Sequence, residues 1–148
     1  GLHTVPGTMD CGGDPVGGYG HEKVQIQQFV DWGVDFIKLD KCKMRGGWNE
    51  ELLKTNYQKW HDLLKDCGRK IVLSISAYRF RDWNPEIGQM SRTTGDIGAR
   101  VNGGARFDTF ETKRPSSVMK LADINSQSAA AARPGYWNDP DMLVVRSQ

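Results

Sequence analysis

Three short segments hold side chains that could do chemistry together. In Val34-Asp35-Phe36-Ile37-Lys38-Leu39-Asp40-Lys41-Cys42, an apolar and partly β-branched run ends in Asp40. Strand alternation puts Phe36, Lys38 and Asp40 on one face, so an ammonium and a carboxylate point the same way. That pattern fits an exposed ion pair at a loop edge, or a catalytic carboxylate beside a substrate-binding lysine. In Arg92-Thr93-Thr94-Gly95-Asp96, the arginine four residues before the aspartate makes either a salt bridge or a proton donor with a hydroxyl-binding partner. Two carboxylates from different strands are what glycoside hydrolysis requires: one attacks the oxocarbenium-like centre and the other protonates the leaving oxygen. The third segment, Gly135-Tyr136-Trp137-Asn138-Asp139-Pro140-Asp141-Met142-Leu143, mixes aromatic rings with Asn and Asp. Rings stack on sugar C–H faces while amides and carboxylates bind hydroxyls, although an Asx-turn ahead of a strand reads equally well.

The elements that must position these residues follow from periodicity. Leu2–Val5 reads as a strand, ended by Pro6-Gly7, and a glycine-rich loop runs from Cys11 to Gly20. His21–Trp32 reads as a helix, because Ile26, Phe29, Val30 and Gly33 share one face of a 3.6-residue period. Val34–Leu39 is a strand. Asn49–Asp66 is the strongest helix, with an apolar stripe of Leu53, Tyr57, Trp60, Leu64 and Cys67, and Gly68 ends it. Lys70–Ile75 is a strand. Asn84–Gly95 reads as loop, leading to a short strand at Asp96-Ile97. Ser116 or Ser117 caps a short helix through Val118, Leu121 and Ala122, and Met142–Val145 is a last strand. This alternation implies parallel βαβ units, in an open sheet or a barrel. The chemically loaded residues fall just after strands, where both folds place their active sites.

Composition narrows the classes. The 148 residues are 38% hydrophobic and 26% charged, as in globular domains. A net charge of +2 supplies no basic field for nucleic acid. No run approaches the roughly 20 apolar residues of a membrane span. Three cysteines without C-x-x-C or H-x-x-x-H spacing argue against a zinc site. No N-terminal Met, signal peptide or acylation motif is present, and both ends read as cut within a larger domain.

Taken in order, the motifs resemble glycoside hydrolase family 27, the α-galactosidases and α-N-acetylgalactosaminidases. The family's W-G-V-D strand ending in K-x-D-x-C corresponds to Trp32–Cys42, its R-x-x-x-D-I to Arg92–Ile97, and its G-G-W-N-D-P-D-M-L to Gly135–Leu143, with Tyr136 for the second Gly. Its opening strand compares with Gly1–Cys11 and its P-G-S-x-G-(H/Y)-E loop with Pro15–Glu22. The resemblance implies a partial (β/α)8 TIM barrel, roughly strands three to seven. The first two strands, the eighth and a C-terminal β-domain would then lie outside this chain. A whole barrel needs about 250 residues, and an open slice exposes strand edges, so the fragment alone is expected to be unstable and inactive.

The same resemblance implies a retaining exo-glycosidase releasing terminal α-linked galactose. Asp40 would be the nucleophile, kept ionised by neighbouring Lys38. Asp96 would be the general acid/base, starting protonated through burial or a like charge. Lys38, Arg92, Asp141 and Met142 would bind the sugar, with Tyr78 and Trp137 as further contacts. Cys11 and Cys42 would form a disulfide, implying an oxidising compartment: secreted, periplasmic or lysosomal. Cys67 reads as a buried free thiol. No metal or organic cofactor is implied, and the partner is a carbohydrate, not nucleic acid or a membrane.

Departures from the family pattern bear on specificity. His3 stands for a tyrosine and Val5 for an aspartate, so His3 is either a satisfied barrel histidine or a sugar contact. Ser76-Ala77-Tyr78-Arg79 replaces the C-E-W or C-S-W that senses the 2-substituent. α-N-Acetylgalactosamine and β-L-arabinopyranose therefore stay open beside galactose. Two readings of other classes also remain: a Schiff-base lyase or aldolase using Lys38, and a non-catalytic sugar-binding barrel.

Overall fold

The computed structural model describes residues 1–44, 49–97, 99–101, 104–106 and 117–141, the two short stretches 99–101 and 104–106 as backbone. The first helix forms over Glu22–Asp31 (α1), burying Ile26 and Phe29. It stops where Gly33 adopts φ +70, a left-handed conformation that costs glycine little. The second, Glu50–Lys65 (α2), is started by Asn49, whose side chain accepts the Leu52 N–H at 3.0 Å. Its stripe of Leu53, Tyr57, Trp60 and Leu64 is buried as the 3.6-residue period predicts. Gly68, at φ +78, ends it.

These helices cover a five-stranded parallel sheet. Its strands are Leu2–Thr4 (β1), Phe36–Asp40 (β2), Val72–Ser76 (β3), Met90–Arg92 (β4) and Trp137–Asp139 (β7), in the spatial order β1-β2-β3-β4-β7. Ile37, Leu39, Leu73 and Ile75 point to the helices and form the core with Ile26, Phe29, Leu53, Tyr57, Trp60 and Leu64. Alternation sends Phe36, Lys38 and Asp40 to the other face. All the core-forming helices thus bury against one face, while the opposite face carries the polar side chains. A doubly wound sheet needs helices on both faces, whereas a barrel wall needs them only outside. Fully buried Trp60 makes this packing costly to lose, about 3–5 kcal/mol for truncation to Ala.

Several expected elements move. Asn84–Ile87 is a helical turn (α3) with Pro85 in its first turn, a place proline tolerates because its missing N–H has no helical partner there. The strand expected at Asp96-Ile97 lies instead at Met90–Arg92, fixed by pairing Met90 with Ser74 and Ser91 with Ile75. A short antiparallel pair, Ala99–Val101 (β5) with Gly104–Arg106 (β6), was not expected. Ser117 is the cap of Val118–Ser126 (α4), its hydroxyl accepting the Lys120 N–H. Trp137–Asp139 is itself a strand, paired with β4; the strand expected at Met142–Val145 falls outside the described residues. Cys67 is free, as expected, but only half-buried, because it lies just past the end of α2.

Candidate active site

Asp40 is the last residue of β2, and its carboxylate is buried with named donors on both oxygens. Oδ1 accepts the Lys41 backbone N–H at 2.7 Å and the Tyr78 hydroxyl at 3.1 Å. Oδ2 lies 3.3 Å from His3 Nε2. The three partners come from three neighbouring strands: His3 from within β1, the Lys41 N–H just past β2 and Tyr78 from the loop after β3. Tyr57, on α2, braces β2 and β3 from the helix side. Its hydroxyl donates to the carbonyls of Leu39 at 3.2 Å and Ser76 at 3.4 Å. Burial pushes the Tyr57 phenol well above its ordinary range, so it remains a donor.

The neighbour expected to hold the Asp40 charge, Lys38, makes no ion pair with it; the ring of His3 occupies that position. Side chains two residues apart on one strand face stand roughly 6–7 Å apart at their bases, whereas His3 comes from the adjacent strand. Lys38 lies in a row across the sheet with His3, Ser74, Met90 and Trp137, as successive pairings show. Trp137 is 52% exposed in that row. The lead residues His3, Lys38, Asp40 and Trp137 are therefore brought to one sheet face.

The Ser76-Ala77-Tyr78-Arg79 stretch begins at the last residue of β3 and continues into the loop after it. Ser76 pairs with Asp40, and both Ser76 and Ala77 are fully buried. Tyr78 is the member that reaches the carboxylate. Burial, and then the Asp40 charge, push its phenol far above its ordinary range. Behind it, buried Arg81 binds Glu50 at the start of α2 through Nε at 2.6 Å and Nη2 at 3.2 Å. Burial and the nearby Arg81 charge push the Lys41 ammonium below its ordinary value.

The second carboxylate is arranged differently. Arg92, at the end of β4, is buried and contacts Asp96 Oδ1 through Nη2 and Asp141 Oδ1 through Nη1, each at 3.1 Å. Asp141 also accepts the Ile97 N–H at 2.6 Å. Arg92 and Asp141, both expected to bind sugar, are thus first partners of each other. The burial expected for Asp96 is absent: its side chain is 71% exposed, because it sits in the loop beyond β4 with Arg92 as its ion-pair partner. Met142, the remaining expected sugar contact, lies outside the described residues.

Cys11 and Cys42 form the disulfide that the resemblance implied, with Cα atoms 5.0 Å apart. It ties the loop after β1 to the loop after Asp40. Potential ligand atoms of His3, Cys11 and Asp40 lie within 4.8 Å of one another. Since the Cys11 sulfur is bonded to Cys42, it is not a thiolate, and two donors remain. Among the described residues no helix is long and apolar enough to cross a membrane. The Lys41 amide, the bracing bonds of Tyr57 and the Glu50–Arg81 clasp escaped the sequence reading; the helical period buried Tyr57, but each of these partners is fixed by tertiary packing.

The family model described as Alpha galactosidase A (Melibiase_2) matches residues 1–147. This chain belongs to the alpha-galactosidase A family. Within the family, it is 35% identical to Alpha-galactosidase 2 of Arabidopsis thaliana over 148 residues, covering 98% of this chain and 33% of that protein. It is 33% identical to Alpha-galactosidase A of Aspergillus niger over 160 residues, covering 97% of this chain and 28% of that protein. The crystal structure of alpha-galactosidase I from Mortierella vinacea superimposes with a TM-score of 0.79 at 25% identity, covering 97% of this chain and 38% of that one. The alpha-galactosidase family fold is a TIM barrel, and the parallel sheet here is part of its wall. The chain spans about a third of the length of these family members.

Proposed function

We propose that this chain carries the catalytic carboxylates of a retaining exo-glycosidase that releases terminal α-linked galactose. The observation that carries the reading is the Asp40 carboxylate: buried at a strand end, with Oδ1 held by two donors and Oδ2 beside half-exposed His3 on the polar sheet face. Asp40 attacks the anomeric carbon while Asp96 protonates the departing oxygen. Asp96 then takes a proton from water as that water breaks the glycosyl-enzyme. Bound sugar supplies the desolvation that exposed Asp96 lacks by itself. Arg92, held between Asp96 and Asp141, fixes the acid loop against β7. Lys38 and Trp137 contribute a hydroxyl-binding cation and a stacking ring on the same face.

A Schiff-base reading with Lys38 has less support, because a lysine nucleophile calls for desolvation and Lys38 is only half-buried. We further propose that residues 1–148 are part of one catalytic barrel, acting on carbohydrate in an oxidising compartment: secreted, periplasmic or lysosomal. The Cys11–Cys42 bond supports that placement.

The test is hydrolysis of p-nitrophenyl α-galactoside and p-nitrophenyl α-N-acetylgalactosaminide by the full-length protein, with Asp40→Asn as control. Turnover of the galactoside that disappears in Asp40→Asn is the expected result. Turnover of the acetamido sugar alone would move the substrate. Undiminished turnover in Asp40→Asn would remove Asp40 from the mechanism.

A further inference from the structure

We propose that Tyr78 is a positioning residue that anchors Oδ1 of Asp40, leaving Oδ2 as the oxygen that attacks; this rests on the reading of Asp40 as nucleophile. The two oxygens are not equivalent. Oδ1 is held by two donors, the Lys41 amide at 2.7 Å and the Tyr78 hydroxyl at 3.1 Å. One of these is fixed by the backbone, and the Lys41 N–H is itself shared with the Ser76 carbonyl at 3.2 Å. Among the described residues, Oδ2 meets the His3 ring alone, at 3.3 Å, and that ring is half exposed. An oxygen whose lone pairs are engaged by two donors is the poorer nucleophile, so Oδ2 presents the available pair.

The loop that carries Tyr78 is built to hold this contact. Tyr78 has φ +61, a conformation that a bulky aromatic residue adopts only when its surroundings enforce it. The enforcement is visible on both sides. Arg81 Nη1 donates to the carbonyl of Ala77 at 2.9 Å and to that of Arg79 at 3.0 Å, bracketing residue 78. The same guanidinium binds both oxygens of Glu50 and lies 5.7 Å from the centre of the Trp83 ring. Arg79 adds a third bond to Glu50. The first turn of α2 thus holds the backbone of this loop, and the loop holds the phenol. Because the phenol is pushed far above its ordinary range, it donates throughout the working pH range.

In the first step, an Oδ2 lone pair forms the bond to the anomeric carbon as the bond to the glycosidic oxygen breaks. That electron pair stays with the leaving oxygen, which takes the proton of Asp96. Tyr78 keeps its proton and gives up nothing; it fixes the rotation of the carboxylate about its Cβ–Cγ bond.

Tyr78→Phe in the full-length protein separates positioning from sugar contact. Losing one charge-assisted hydrogen bond to the nucleophile predicts a fall in kcat of about 10- to 100-fold. KM and the melting temperature should stay near their wild-type values. Arg81→Lys, which loses the bracket but keeps the charge, should give a smaller fall in kcat of the same kind. A raised KM with kcat unchanged would make Tyr78 a sugar contact and overturn the proposal. Wild-type kinetics in Tyr78→Phe, with Asp40→Asn inactive, would overturn it while leaving Asp40 as nucleophile. An active Asp40→Asn would instead defeat the underlying reading. Should Tyr78→Phe fail to fold, a crystal structure of the fluorosugar-trapped wild-type enzyme decides. The sugar bonded to the oxygen away from Tyr78 supports the assignment, and bonding to the Tyr78-bound oxygen overturns it.

Discussion

Arg92 Nη1 and Asp141 Oδ1 meet at 3.1 Å with their side chains 1% and 5% exposed. Removing one partner of a buried pair leaves an uncompensated charge, at a cost of about 3–5 kcal/mol. Asp141→Ala leaves Arg92 its exposed partner Asp96, so it should destabilise the full-length protein by less than that, about 1–3 kcal/mol, read from denaturant unfolding. A variant of unchanged stability whose only defect is a higher KM would instead mark Asp141 as a sugar ligand.

Asp96 is expected to matter in proportion to how badly the leaving group needs a proton. In Asp96→Ala, hydrolysis of an alkyl galactoside should fall about 10²- to 10⁴-fold, and that of an activated aryl galactoside much less. Equal losses on both substrates would count against the acid role.

The clasp at the start of α2 has a pH signature. Hydrogen bonds from Arg81 and Arg79 lower the Glu50 pKa from 4.5 to about 2. A carboxylate with a depressed folded pKa stabilises the fold above its unfolded value, and that stabilisation is lost as pH falls toward the folded value. Glu22, on α1, acts in the same direction: burial raises its pKa, but the bond from Lys59 and nearby backbone donors outweigh it. The melting temperature should drop between pH ~5 and ~2, and less steeply in Glu50→Gln. Glu50 is half exposed, so the difference is small. Parallel curves for the two proteins would show that the clasp does not titrate.

The disulfide and the glycine packed beneath it should fail together. Cys42→Ser is expected to cost about 2–4 kcal/mol by freeing the loop it closes. A Cβ at Gly7 would lie 2.5 Å from the carbonyl oxygens of Cys42 and Lys43. Gly7→Ala should therefore lower both the melting temperature and kcat, because that backbone leads directly from Asp40. Gly95→Ala, with nothing within 4 Å among the described residues, should leave stability within about 0.5 kcal/mol of wild type. Equal melting temperatures for Gly7→Ala and Gly95→Ala would contradict the close packing.

Local chemistry in the chain determined α1, α2, β2 and β3 and the side of β2 that Asp40 shares with Lys38. A 3.6-residue stripe, a capping Asn49, terminating glycines and strand alternation are all properties of neighbouring residues. Shorter elements lacked that redundancy. Met90–Arg92 and Trp137–Asp139 have three residues each, and Asn and Asp disfavour strands; pairing with an existing sheet edge placed them. The environment of Asp40 was likewise decided in three dimensions. Its partners His3 and Tyr78 stand 37 and 38 positions away, and Glu50 meets Arg81 across 31. Buried charged groups must find partners, but which partner each one takes depends on neighbouring strands and the loops after them meeting, and residue spacing along a chain does not encode that meeting.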